Sequence, residues 1–250
     1  MNSIVEKAKN AALSAAIHQA LDYLKKDPET NIPKLMDLVD KLAPDDWYEA
    51  QRSAFRNAIR EKNHWYELIM KVYALDEGVR ETFFRNFILN ASLLGSATQE
   101  ETARRENCNV PWAILLDPTS ACNMHCTGCW AAEYGNRLNL TFEELDSIVT
   151  QGKALGTYMY IFTGGEPLVR KADILKLCEK HSDCEFLSFT NGTLIDEAFC
   201  QEMLRVKNFV PAISLEGFAK ANDGRRGDGC KHPRLHAAGR LEVPHLHGLP

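Results

Sequence analysis

Between residues 112 and 215 short apolar runs alternate with helical stretches four times over, and this alternation constrains the fold more than any other feature of the chain. Trp112-Ala-Ile-Leu-Leu-Asp117, closed by Pro118, has the length and the unbroken apolar character of a strand buried on both faces. Further strands are expected at 158–163, 185–190 and 209–215. Helices are expected at 171–180 and 195–206 and after Thr141-Phe-Glu-Glu144, a capping box followed by inward-facing Phe142, Leu145, Ile148, Val149 and Leu155. Consecutive strands joined through helices need right-handed crossovers, so the fold class is α/β with a parallel sheet of four visible strands.

The first hundred residues have a different character. Leu13, Ile17, Leu21 and Leu24 repeat at three and four residues up to Asp27-Pro28, and further helices are expected at 33–42, from Trp47, at 64–73 and at 76–94. Trp47, Trp65, Tyr66, Phe83, Phe84 and Phe87 are read as core between these helices and against the sheet region, with a cap over the site or a dimer face as the alternative. The domain plan is therefore a helical region, 1–107, an α/β core, 108–229, and an atypical, disordered tail, 230–250.

The 250 residues are 45% hydrophobic and 25% charged, enough apolar content for a packed core. A net charge of −5 without a local basic run gives no field for a phosphate backbone, so no nucleic acid partner is expected. The start, Met-Asn-Ser-Ile-Val-Glu-Lys, lacks a secretory apolar segment, and the apolar stretch 87–94 is broken by Asn90, so neither export nor a membrane span is expected. The expected compartment is the cytoplasm, where thiols stay reduced and eight cysteines are not disulfide staples.

Three of the eight stand together in Cys122-Asn-Met-His-Cys126-Thr-Gly-Cys129, directly after the first strand. Loops at the carboxyl ends of parallel strands are where α/β proteins assemble their sites. Three thiolates can hold an iron–sulfur cube through three of its irons and leave the fourth open. Two other readings exist. Spacings of four and three also place the cysteines on one helix face as small fillers, although Asn123, Thr127 and Gly128 make a poor helix. A zinc site could take Cys108, His125 or His181 as a fourth ligand, but no second Cys-x-x-Cys or His pair accompanies the loop.

The loop and the segments after the next three strands together resemble the radical S-adenosylmethionine (radical SAM) enzymes. Cys-x-x-x-Cys-x-x-Cys is similar to that family's signature. Gly164-Gly165-Glu166-Pro167 resembles its Gly-Gly-Glu-Pro motif, in which glycines admit close backbone approach and Glu166 offers a carboxylate to an ammonium. Asn191 in Thr-Asn-Gly-Thr, and Ser214 and Glu216 in Ser-Leu-Glu-Gly, resemble segments lining the ribose and methionine parts of SAM. Asp223-Gly-Arg-Arg-Gly227 resembles the stretch that follows, and Arg225 or Arg226 would meet the SAM carboxylate. The resemblance covers about residues 108–229. It implies a partial (β/α) barrel, a [4Fe–4S] cluster on Cys122, Cys126 and Cys129, and S-adenosyl-L-methionine at the open iron. The reaction implied is reductive cleavage of SAM to a 5′-deoxyadenosyl radical that abstracts hydrogen from an unknown substrate. It needs anaerobic handling and a one-electron donor such as ferredoxin or flavodoxin. Gly128 departs from the family, where the residue before the third cysteine is bulky and flanks the adenine.

Family cores have six βα units, and four are visible here. The last 21 residues hold four of the eight His and three of the ten Pro with no aromatic residue. The expectation is a reading frame that shifts near residue 229 or 230 and yields a truncated product; a His-rich metal-binding tail is the competing reading. The functional alternative is accordingly a truncated, non-catalytic iron–sulfur or zinc-binding interaction protein. Cys178, Cys184 and Cys200 are read as buried small hydrophobes.

Overall fold

The computed structural model describes residues 15, 19–20, 22–24, 26–42, 49–135, 137–217 and 219–227. Leu13, Ile17, Leu21, Trp47, Cys230 and the whole of 230–250 lie outside the described residues.

Two compact units divide between Leu89 and Asn90. The first contains α1 (Pro28–Leu42), α2 (Glu49–Glu61), α3 (His64–Tyr73) and α4 (Glu77–Phe83), and α4 runs on into a π-helical stretch, Phe84–Leu94. Helix α1 starts earlier than its periodicity indicates: Pro28 occupies the first turn, where a missing N–H costs nothing, and Pro33 is carried inside. Asn63 and Asp76 cap α3 and α4, the first accepting from the amides of Trp65 (3.1 Å) and Tyr66 (3.4 Å), the second from that of Val79 at 3.1 Å. Tyr66 is buried as expected of core, whereas Trp65 is 68% exposed and is not core within this unit.

The second unit begins before the compositional change. Helix α5 (Gly95–Glu106) has no apolar stripe, yet it belongs here because buried Gln99 donates to the Gly156 carbonyl at 2.8 Å. The order that follows is β1 (Ala113–Leu116), α6 (Phe142–Ala154), β2 (Met159–Phe162), α7 (Lys171–Lys180), β3 (Glu185–Thr190), α8 (Glu197–Val206), β4 (Phe209–Ile213) and α9 (Ala219–Arg226). The capping box opens α6 with both reciprocal bonds formed.

All three strand pairings are parallel, in the order β1-β2-β3-β4. Leu116, Tyr160, Phe162, Phe186 and Phe209 form one core with Leu145 and Val149 of α6, Ile174 and Leu177 of α7 and Phe199 of α8. Sequential order with right-handed crossovers puts all three helices on one face, the winding of a (β/α) barrel rather than of a doubly wound sheet, which reverses direction at a switch point. The architecture is thus a partial barrel of four βα units preceded by helices. The opposite face is also apolar, with Leu115 (59% exposed), Leu187 and Phe189 (48%) along it. On either side of β4 the amide of Ser214 and the carbonyl of Asn208 bond to β3, so Pro211 falls in the alternate set facing away and costs that ladder no donor. Cys178 and Cys184 are fully buried, while Cys200 is only half-buried. No helix among the described residues is long and apolar enough to cross a membrane.

Candidate functional site

The cysteine loop is tied down at its root before it reaches a thiol. Thr119 bridges to Asn139, with its hydroxyl 2.6 Å from the Asn139 side-chain oxygen, and the Ser120 amide donates to the Leu138 carbonyl at 2.8 Å. Arg170, at the end of the turn after β2, donates to the carbonyls of Pro118 (3.2 Å) and Leu140 (2.8 Å), and Asp173 holds its guanidinium at 2.6 Å. From the other side the amides of Gly165 and Glu166 donate to the carbonyls of Thr119 (2.9 Å) and Ala121 (2.8 Å).

The glycine pair is required by that approach. A Cβ on Gly165 would lie 2.2 Å from the Ala121 carbonyl oxygen, and Gly164 combines a φ of +105° with a Cβ position 2.6 Å from the Thr119 oxygen. The contact that demands glycine is therefore with the loop itself, in addition to any ligand that the motif admits.

Beyond the root the chain forms an irregular loop, so the cysteines do not share a helix face. Met124 is buried and anchors it. Asn123 donates to the Thr193 hydroxyl at 2.7 Å and accepts from the Asn191 side-chain amide at 2.9 Å, and the Thr127 amide donates to the Arg225 carbonyl at 2.8 Å. Cys126 to Cys129 is a tight turn closed by the Cys129 amide on the Cys126 carbonyl at 3.2 Å. Gly128 sits in it at a φ of +70°, where a bulky side chain would be strained; this accounts locally for the small residue before the third cysteine.

A cavity of about 170 Å³ is lined by Cys122, Cys126, Cys129, Gly164, Gly165, Glu166, Asn191 and Ser214, so most of the residues singled out in the sequence meet around one space. Trp130, Thr163, Phe189, Thr190, Arg225 and Arg226 complete it. Glu216 lies in an adjoining hollow of about 490 Å³ that shares Phe189, Ser214 and both arginines with the first. Cys108, His125 and His181 line neither; His181 is hydrogen-bonded to Asp146 at 2.9 Å. Among the described residues no three His, Cys, Asp or Glu side chains converge as a single metal ion requires. Three cysteines lining one cavity are soft sulfur donors, a donor set that fits an iron–sulfur cluster. Burial pushes the Cys122 thiol up, and the neighbouring Glu166 carboxylate adds to this, so a bound cation would be needed to draw off its proton.

Glu166 is 2% exposed and already engaged. Oε1 accepts from the Leu168 amide (3.0 Å) and the Thr190 hydroxyl (2.7 Å), and Oε2 accepts from the Asn191 amide (2.8 Å). A carboxylate offers about four acceptor positions, so one is left for a ligand. The Asn191 side chain is likewise occupied, its oxygen accepting from the amide (2.9 Å) and hydroxyl (2.7 Å) of Thr193. Glu216 pairs with Arg226 at 2.6 Å and with Arg225, and the Arg226 hydrogen bond in particular holds its carboxyl below the usual range. The two arginines differ: the side chain of Arg225 is 44% exposed, that of Arg226 only 10%, and Arg226 Nε has no partner among the described residues. Sequence reasoning missed Asn123, Thr190 and Arg170. Asn123 lies inside the cysteine motif and Arg170 four residues after Glu166, but their partners are distant in sequence.

Residues 116–238 match the model of the Radical SAM superfamily. This segment of the chain belongs to the radical SAM superfamily. The match runs nine residues past position 229, into the segment set apart by composition. The chain is 30% identical over 120 residues to Fe-coproporphyrin III synthase of Methanosarcina barkeri, covering 46% of this chain and 29% of that protein. It is 36% identical over 91 residues to GTP 3′,8-cyclase of Pseudomonas syringae, covering 34% of this chain and 27% of the cyclase. The matched part is thus less than a third of the length of either relative. Among solved structures, Streptococcus suis SuiB bound to S-adenosylmethionine is similar at a TM-score of 0.44 and 25% identity, over 54% of this chain and 33% of that one.

Proposed function

We propose that Cys122, Cys126 and Cys129 hold a [4Fe–4S] cluster, that SAM occupies the two adjoining hollows, and that the protein is a radical SAM enzyme. The observation that carries this reading is the single cavity shared by the three thiols, the Gly164-Gly165-Glu166 turn and Arg226. When bound and reduced, the cluster supplies an electron that cleaves SAM and yields a carbon radical able to take hydrogen from a substrate.

The chain's part is positioning. The loop ties at Thr119, Ala121, Asn123 and Thr127 hold the thiols to the strand ends, so little rearrangement accompanies cluster binding. Glu166 has one acceptor position for the SAM ammonium, and Ser214 a hydroxyl facing the same cavity. Arg226 is the carboxylate anchor: its buried guanidinium has an N–H unused among the described residues, and a charged group so placed gains most from an anionic partner. Arg225 turns outward and keeps the Glu216 pair. Substitution of Arg226 by Gln is expected to weaken SAM binding by about tenfold or more, and of Arg225 by less than about threefold, by equilibrium dialysis against labelled SAM. Equal effects would remove the assignment.

Anaerobic reconstitution tests the whole reading. The expected result is iron and sulfide near about four each per chain, a reduced-state spectrum altered by SAM, and 5′-deoxyadenosine formed with a ferredoxin- or flavodoxin-type donor. One zinc per chain and no response to SAM would refute it. The two relatives are named for an iron porphyrin and for GTP.

A further inference from the structure

A further hollow in the second unit lies beside the cysteine cavity. It measures about 640 Å³, within the range of roughly 300–1,000 Å³ typical of small-molecule sites. It lies between β1 and the segment that returns from the cysteine loop. Leu115, Trp130, Tyr134 and Leu138 form its apolar walls, and each is more than half exposed. Isolated exposed apolar residues are ordinary; four gathered in one concavity leave a surface that is better covered. The rings of Trp130 and Tyr134 stand 6.0 Å apart at 75°, a rigid corner against which a flat group can lie.

Two charges share this space. Asp117 follows the end of β1, and Arg137 lies on the returning segment; both line the hollow. They do not pair with one another, and among the described residues neither has a hydrogen-bonding or ionic partner. The polar residues beside them are used within the protein: the Thr119 hydroxyl meets Asn139, and the Ser120 hydroxyl accepts from the Leu138 amide at 3.0 Å. Partial burial against the Gly164 turn pushes the Asp117 carboxyl up, so a nearby cation would relieve it. Opposite charges held apart over an apolar floor match a ligand that is itself dipolar. Gly164 and Trp130 line both this hollow and the cysteine cavity, so a molecule seated here is separated from the thiols only by a shared wall.

We infer that this hollow is a second ligand site, for a zwitterionic molecule with a flat apolar body, whose carboxylate meets Arg137 and whose ammonium meets Asp117. That it is the substrate site rests on the radical SAM reading; the binding chemistry does not.

The test uses the full chain and three fluorescent probes: 3-(2-naphthyl)alanine, its N-acetyl derivative, which keeps only the carboxylate, and its carboxamide, which keeps only the ammonium. Binding is read by anisotropy. Arg137→Gln should weaken naphthylalanine and the N-acetyl probe by about tenfold, the loss of one charge-assisted hydrogen bond, and leave the carboxamide unchanged. Asp117→Asn should give the mirror pattern, and Trp130→Ala should weaken all three. Because neither charged residue has a partner among the described residues, thermal melting should show both variants folded. Excess SAM on the reconstituted protein should not displace naphthylalanine. A response independent of which charge the probe carries, or displacement by SAM, overturns the proposal. A correct probe pattern with no SAM cleavage leaves the ligand site standing and removes its role as substrate site, whereas cleavage without the probe pattern removes the ligand site and leaves the radical SAM reading standing.

Discussion

Gly165 is the residue on which the cysteine loop and the end of β2 are fitted together. Motif reasoning assigned the Gly-Gly pair to close approach by a ligand, yet the nearest obstacle to a side chain is the Ala121 carbonyl at 2.2 Å, a backbone atom that cannot swing aside. Gly165→Ala is therefore expected to destabilise the protein by about 1–3 kcal/mol and to lower iron incorporation, because the loop root must shift. Thermal melting together with iron content per chain measures this; an unchanged melting temperature with full iron would show that the loop yields freely. Glu166 follows the same logic. Its residue type was legible as a functional carboxylate, but its bonds to Thr190 and Asn191, 24 and 25 positions away, make it first a strut between the ends of β2 and β3.

At the scale of elements, local signals were read most accurately where they are self-contained. The Thr141–Glu144 box, α7 at 171–180 and β3 at 185–190 all match, since cap, apolar period and strand composition each act within a few residues. Helices α5 and α9 escaped because nothing local announces them. Helix α5 lacks an apolar stripe and packs through buried Gln99 and Thr102; α9 contains Asn222, Asp223 and Gly224 and is tied to the cysteine loop through Arg225. Between elements, Asp146 of α6 joins the end of α7 through Lys180 (2.7 Å) and His181 (2.9 Å), and the Lys180 hydrogen bond above all holds its carboxyl below the ordinary value. A carboxyl lowered on folding stabilises the native state above its unfolded value of about 3.9 and loses that contribution as pH falls through the folded value. Asp146→Asn should thus lower the melting temperature at neutral pH, and the two curves should converge in stronger acid. A gap that persists undiminished there would mean the residue acts through packing rather than charge.

For the whole molecule, the central strands carry the stability and the loops carry the chemistry. β2 and β3 are paired on both sides, and Tyr160, Phe162 and Phe186 are fully buried beneath α6–α8. In native-state hydrogen exchange, amides of these two strands should be the slowest and those of residues 122–129 among the fastest, the latter slowing when the cluster is reconstituted. A cysteine loop already as protected as β2 before reconstitution would contradict this. The amino-acid sequence by itself determined the α/β alternation, the strand ends that bear function and the three thiols in one loop, because periodicity, caps and motif spacing are properties of neighbouring residues. Only the tertiary structure decided that Asn123 reaches Asn191 across 68 positions, that Arg226 rather than Arg225 is buried, with an N–H unused among the described residues, and that Asp117 and Arg137 share a hollow with Trp130. Such contacts join segments that the parallel sheet brings together after long crossovers, and no local pattern in the chain specifies which side chains then face one another.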